Sequence, residues 1–219
     1  MVAQGSSKSQ ADVRTFQAAH NAFRLATTRI ADATEKLEPL ALQRVIQSHW
    51  SFYAAVLHHH HHQSEDDSIF PALLAARPDM EPLVKRMEDD HHQLILTMET
   101  VDSMISAFAE QPDKALQQSL HQAVAAVRAE FFPHLDIEDE QVLPAIADSI
   151  NPPEWARLDS ATLKSIPRKY LPTAVGAIDE IISGLPKDKQ PPPAPVLIRL
   201  MLALSWRRKW STWVKAHAT

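Results

Sequence analysis

The chain carries one block of sequence twice. HHQSEDDSIFP begins at His61 and HLDIEDEQVLP at His134. In each, a Glu follows a His by four residues, an Asp follows the Glu directly, and a Pro lies six residues after the Glu with an apolar residue (Phe70, Leu143) before it. The upstream histidines repeat as well. His20 lies 41 residues before His61, and His91 lies 43 before His134. Apolar residues stand three and five positions after His20 and after His91. A chain built this way is expected to fold as two halves of one design.

The spacing of apolar residues identifies the design as helical. Val13, Phe16, His20, Phe23, Thr27, Ile30, Thr34 and Leu37 step by three and four, which is one face of a helix. A second helix from about Leu40 places Ile46, Trp50, Ala54, Leu57 and His61 on one face, with Glu65 a turn further on. A third carries Val84, Met87, His91, Leu94, Met98, Val101, Ile105 and Phe108. A fourth carries Leu116, Leu120, Val124, Val127, Phe131, His134 and Glu138. Glycine is scarce, at 3 residues, and strand-like alternation is hard to find. The prediction is an all-α, up-down-up-down four-helix bundle over residues 10–150, with a helical, Pro-rich, basic extension over residues 151–219.

His and Glu four residues apart project from the same side of a helix. Here that side is the apolar one, so both pairs should enter the core. Burying a carboxylate costs several kcal/mol, roughly, unless it is paired or bound to a cation. Four imidazoles and two carboxylates converging on one core are hard to satisfy by hydrogen bonds alone, whereas a pair of divalent cations would satisfy them. Imidazole and carboxylate without thiolate suit iron, manganese or zinc. A symmetric set is expected to hold two metals bridged by the Glu side chains, with room for an exogenous bridge. The HExxH pattern of zinc proteases is absent from both blocks.

At these residues the sequence resembles the hemerythrin family, specifically its HHE cation-binding domain. The resemblance spans about residues 10–150 and rests on His20, the HHxxED of His61 to Asp66, His91, and the HxxxED of His134 to Asp139. It implies a non-haem centre of two iron ions, oxo- or hydroxo-bridged, in a four-helix bundle. It further implies that His20, His61, His91 and His134 are terminal ligands and that Glu65 and Glu138 bridge. Zinc and manganese are the alternatives. Oxygen-carrying members have a second His one turn after the third-helix ligand, where this chain has Ile95. His62 or water could replace it, and the departure argues against simple reversible oxygen carriage.

Several histidines compete for these roles. The run His58 to His62 has the look of a purification tag, but it continues the helix SHWSFYAAVL and leads into the repeated block. Only about two of five consecutive positions share a helix face. His61 is therefore the predicted ligand and His62 a ligand or neighbour of one, while His58, His59 and His60 are read as surface or supporting residues. His91 lies in the apolar stripe and His92 does not. His49 and His121 read as ordinary helix residues. Asp66 and Asp139 are expected to be solvated or hydrogen-bonded. The run Glu88, Asp89, Asp90 is expected to be a solvated face or support for His91. Pro133 is expected to kink the fourth helix just before His134.

Charge divides the chain. Residues 151–219 hold 11 Lys and Arg against 5 Asp and Glu; whole-chain totals of 22 and 27 leave 11 and 22 for residues 1–150. So acidic a body argues against a nucleic-acid partner. There is no cysteine, which excludes disulfides and thiol ligands and is compatible with the cytoplasm. The N-terminus has no apolar stretch of the kind a secretory signal needs.

In the extension, Pro167 and Pro172 are expected to break the helix. KDKQPPPAP reads as a stiff linker. The last segment pairs an apolar stretch with Trp206, Trp210, Trp213, Arg207, Arg208 and Lys209. It either packs on the bundle or on a second subunit, or it lies at a membrane interface with the tryptophans at the boundary. The function implied is reaction of a di-iron centre with O2, hydrogen peroxide or NO, including catalase-like turnover. The alternative is a regulatory or metal-sensing module that the metal stabilises without turnover.

Overall fold

The computed structural model describes residues 10–216. Residues 1–9, to which the reading of no secretory signal applies, and residues 217–219 lie outside the described residues. Seven helices follow one another, with no strand among the described residues. Helix α1 spans Arg14–Lys36. Helix α2 begins as Pro39–Val56, passes through π-helical turns at Leu57–His62 and Glu65–Ile69, and finishes as Phe70–Ala76. Helix α3 spans Glu81–Glu110. Helix α4 runs over Lys114–Ile137, a π turn at Glu138–Val142, and Leu143–Ser149. Helix α1 packs on α2, α2 on α3, α3 on α4, and α4 closes back on α1. This is the up-down-up-down bundle. Helix α4 is unbroken through Pro133.

The predicted faces are the buried ones. All eight residues of the α3 stripe are inside, as are Phe16, His20, Phe23, Thr27, Ile30 and Thr34 of α1 and Leu37 just after it. Asp113 caps α4 by accepting from the backbone of Leu116 at 2.8 Å, a contact of a kind that contributes about 1 kcal/mol. Gln117 Nε2 donates to the carbonyls of Thr34 and Leu37, which the end of α1 leaves without helical partners.

The apolar interior forms two bodies. One contains Phe23, Leu57, Leu94, Val127 and Phe131. The other contains Phe16, Phe70, Met87, Leu143 and Ile146. Along each helix the predicted ligand falls between them: His20 between Phe16 and Phe23, His91 between Met87 and Leu94. A thin polar layer is thus closed above and below by hydrocarbon.

The extension wraps the bundle. Helix α5 (Pro152–Ser165) lies against the Leu57–His62 π turn, α6 (Leu171–Gly184) against α1, and α7 (residues 196–215) against α6. Helix α7 runs as Val196–Met201, a π turn at Leu202–Trp206, and Arg207–Lys215. Gly176 permits the last contact, because a Cβ there would stand 2.7 Å from Trp210 Cβ and 2.9 Å from the Trp206 carbonyl oxygen. Pro167 does separate two helices, but Pro172 sits in the first turn of α6, where its missing N–H costs nothing.

Trp210 and Trp213 are buried, stack on each other at 4.9 Å, and join the main core. These two rings therefore pack on the bundle, the first of the two alternatives for this segment, and do not stand at a membrane boundary. The large apolar residues that stay exposed on α7 are Val196, Leu197, Leu200 and Leu204. No helix among the described residues is long and apolar enough to cross a membrane.

Candidate metal centre

The second feature of each repeated block, its proline, accounts for the π turns. Proline has no N–H, and its ring presses on the carbonyl four residues earlier. Pro71 and Pro144 would meet the carbonyls of Asp67 and Glu140 in a regular α-helix. Instead the preceding turn widens: the Phe70 N–H reaches back to Glu65 O and the Leu143 N–H to Glu138 O, five residues rather than four. Each π turn begins on the Glu itself. The proline thereby sets how that carboxylate enters the layer.

A third π turn covers the histidine run, with Gln63 N–H bonded to His58 O. It frees the His59 carbonyl, which accepts from Ser64 Oγ at 2.7 Å and from Ser165 Oγ of α5 at 2.8 Å. The wider turn also brings three adjacent histidines inside. His60, His61 and His62 are all buried, while His58 is exposed. The expectation for His60 was a surface or supporting place. Regular α-helix spacing cannot anticipate this, because the added residue alters the register.

All six predicted site residues, His20, His61, Glu65, His91, His134 and Glu138, are buried in the polar layer. One donor atom from each of His61, Glu65, His91, His134 and Glu138 falls within 4.8 Å of every other. His20 Nε2 approaches the same carboxylates, at 3.9 Å from Glu65 and 3.7 Å from Glu138. His134 Nε2 lies 3.0 Å from His61 Nε2 and 3.1 Å from His91 Nε2. His92 is exposed, its Nδ1 beside the Glu88 carbonyl, which separates it from His91.

The Asp of each block has a defined place. Asp139 accepts from His20 Nδ1 at 2.8 Å, and Asp66 accepts from His91 Nδ1 at 2.8 Å. Each fixes the tautomer that turns Nε2 into the cluster. Arg24, one turn after His20, donates to Asp139 at 2.9 Å and to Asp136 at 2.7 Å. Sequence reasoning missed Arg24, whose signal was its position four residues from a candidate ligand. Asp90 stands 3.7 Å from His134 Nδ1 rather than beside His91, and Asp89 pairs with Lys85.

Electrostatics without a cation are strained by proximity. Burial raises the Glu65 carboxyl, and the neighbouring Glu138 raises it further. Burial also opposes the charge on Glu138, but His134, with His20 and His91, outweighs it and lowers that group. Burial works against a charge on His20 and on His91 too. The hydrogen bond to Asp139 and the nearby Glu65 carboxylate for His20, and the hydrogen bond to Asp66 and the nearby Glu65 for His91, outweigh it and bring both to about 10. His61 and His62 are held well below the ordinary range, first by burial and then by neighbouring imidazoles.

The fit to metal rests on unpaired donors. His20 Nε2, Glu65 Oε2, both Glu138 oxygens and both ring nitrogens of His62 are buried without a hydrogen-bond partner. A buried polar group in that state costs about 1–3 kcal/mol. Several of them, converging on one small volume, have the composition of a site for a cation with N and O preference.

The family comparison agrees with the geometry. The family model of the hemerythrin HHE cation-binding domain matches residues 11–146, and the chain belongs to that family. Its His/Glu cluster is a metal-binding site of the hemerythrin type. No curated protein and no solved structure matches the chain.

Proposed function

We propose that the chain is a non-haem di-iron protein whose centre reacts with O2, hydrogen peroxide or NO. The observation that carries the reading is the pair of Glu residues, each at the head of a π turn, facing one another among histidines from all four bundle helices. Glu65 and Glu138 would bridge two ions. His20, His61, His91 and His134 would complete their coordination. His62 supports a seventh contact in place of the residue at Ile95: its ring lies 4.5 Å from the His91 ring, with both nitrogens free.

Iron bound there would supply the electrons that O2 or peroxide takes up, or an open position for NO. The chain holds the donors in place and keeps bulk water out. Asp66 and Asp139 orient two of the imidazoles. Phe131 stacks on His134 and Phe70 on His91, closing the layer on both sides. Iron analysis of freshly purified protein tests the metal, with zinc and manganese measured alongside. Addition of O2, peroxide or NO to the anaerobically reduced protein should change its visible absorption; no change with any of the three overturns the reading.

A second reading, a regulatory or metal-sensing module, draws on the same cluster, since ligands from four helices would tie the bundle together. Large thermal stabilisation by metal without turnover would favour it.

A further inference from the structure

Between the bundle and the extension lies a partly open cavity of about 30 Å³. Small residues leave it open. Ala19, Ala22 and Ala26 face it from α1, and Ala174 and Ala177 from α6. Trp210 forms part of its outer wall. That indole is fixed by its hydrogen bond to Glu180 and by Arg29, which sits 5.1 Å above the ring and pairs with the same Glu at 2.9 Å.

The wall is almost wholly apolar. The Tyr53 hydroxyl is bonded to Thr27 at 2.8 Å. His60 Nδ1 is buried without a partner. A buried water needs about two to four polar partners, and a cavity of roughly 10–15 Å³ already holds one water-sized sphere. This cavity is larger than that minimum and offers too few partners, so water is a poor occupant and a small apolar molecule a good one.

The inner wall borders the metal layer. Phe23 lines the cavity, and its ring is 6.0 Å from that of His61 and 5.9 Å from that of Phe131. His60 also lines it and packs on Phe23 at 5.8 Å. Ala19 precedes His20 in α1. One aromatic ring thus separates the cavity from the cluster.

We infer that this cavity is a binding site for an apolar diatomic gas, O2 or NO, which passes Phe23 to reach the metal. The delivery part rests on the proposed di-iron function; the binding part does not. The inference also separates substrates, since hydrogen peroxide, with two hydroxyl groups to satisfy, gains nothing from such a site.

Xenon is the probe. Xenon-pressurised crystals, or xenon NMR in solution, of metal-free and iron-loaded full-length protein should place one atom between Ala22 and Ala177. Ala177→Leu and Ala26→Leu, neither at the metal cluster, should abolish that occupancy; two variants guard against one failing to fold. In the loaded, reduced protein each filled variant should slow reaction with NO or O2 several-fold and leave the peroxide rate and visible spectrum unchanged. No xenon at the site overturns the pocket. Unchanged gas rates in filled variants, or equal slowing with peroxide, overturn delivery through it. A centre inert to all three reactants sinks the di-iron function and delivery together, while xenon occupancy still decides whether the pocket binds gas.

Discussion

Asp139 accepts a hydrogen bond from His20 Nδ1 at 2.8 Å, although the two residues belong to different halves of the bundle. Asp66 does the same for His91 at 2.8 Å in the opposite sense. Replacing either with Asn removes the acceptor charge and allows the wrong tautomer. Asp139→Asn and Asp66→Asn should each lower metal affinity about 10–100-fold, read by competition with a chromogenic chelator. Unchanged affinity in both would deny the aspartates this role.

Metal removal should destabilise the fold. A ligand that binds only the folded state at about 1,000 times its dissociation constant adds roughly 4 kcal/mol. Thermal melting with and without chelator should show a lower Tm for the stripped protein. In Glu65→Ala, which lacks a donor close to all five of the other residues, the difference should shrink sharply. A chelator effect of equal size in that variant would place the metal elsewhere.

The prolines of the repeated blocks make a separate prediction. Pro71→Ala and Pro144→Ala relieve the clash that widens the turns at Glu65 and Glu138. The helices are then free to return to α register, which withdraws the carboxylates from the layer. Metal affinity should fall while the metal-free protein melts no lower than wild type. Backbone hydrogen exchange over 65–71 and 138–144 would show the change directly.

Asp159 lies outside the metal site and reports on the packing of α5. Burial, then the nearby Asp12, raises its carboxyl to about 6. The fold therefore holds a proton that the unfolded chain has released, and stability falls as pH rises from about 4 to about 6. Asp159→Asn should stabilise the protein at pH 7 by up to about 3 kcal/mol, with no gain below pH 4. Urea unfolding at the two pH values measures it.

The exposed face of Val196, Leu197, Leu200 and Leu204 is proposed to rest on an anionic lipid surface. Arg199, Arg208 and Lys209 are exposed on the same helix and would meet the phosphates. Vesicles containing phosphatidylglycerol should sediment the intact protein at low salt, and Leu200→Asp with Leu204→Asp should abolish this. No sedimentation rejects the lipid surface; a dimer lost with the same pair would assign the face to self-association.

The bundle and its inward residues were legible because the helices keep their period: the eight-residue stripe of α3 needed only spacing to find. The His/Glu blocks were legible because they recur. What periodicity could not reach was the local widening around them. His60 enters the interior only because a π turn adds a residue, and the clue, a proline six places after each Glu, marks the turns at Glu65 and Glu138 and not the one at His60. The partnership of Asp66 with His91 was hidden too, since a residue's neighbour across the bundle leaves no mark in its own helix. The tryptophans of α7 left two readings open for a physical reason: an amphipathic helix has the same composition whether it covers a lipid surface or a protein core.

Because the aspartate of each half steadies a histidine of the other, neither hairpin alone presents a finished set of donors. The cation's berth comes into being only when the halves meet. Occupancy is therefore a reading of their union, and anything that pries the halves apart must first surrender the ion.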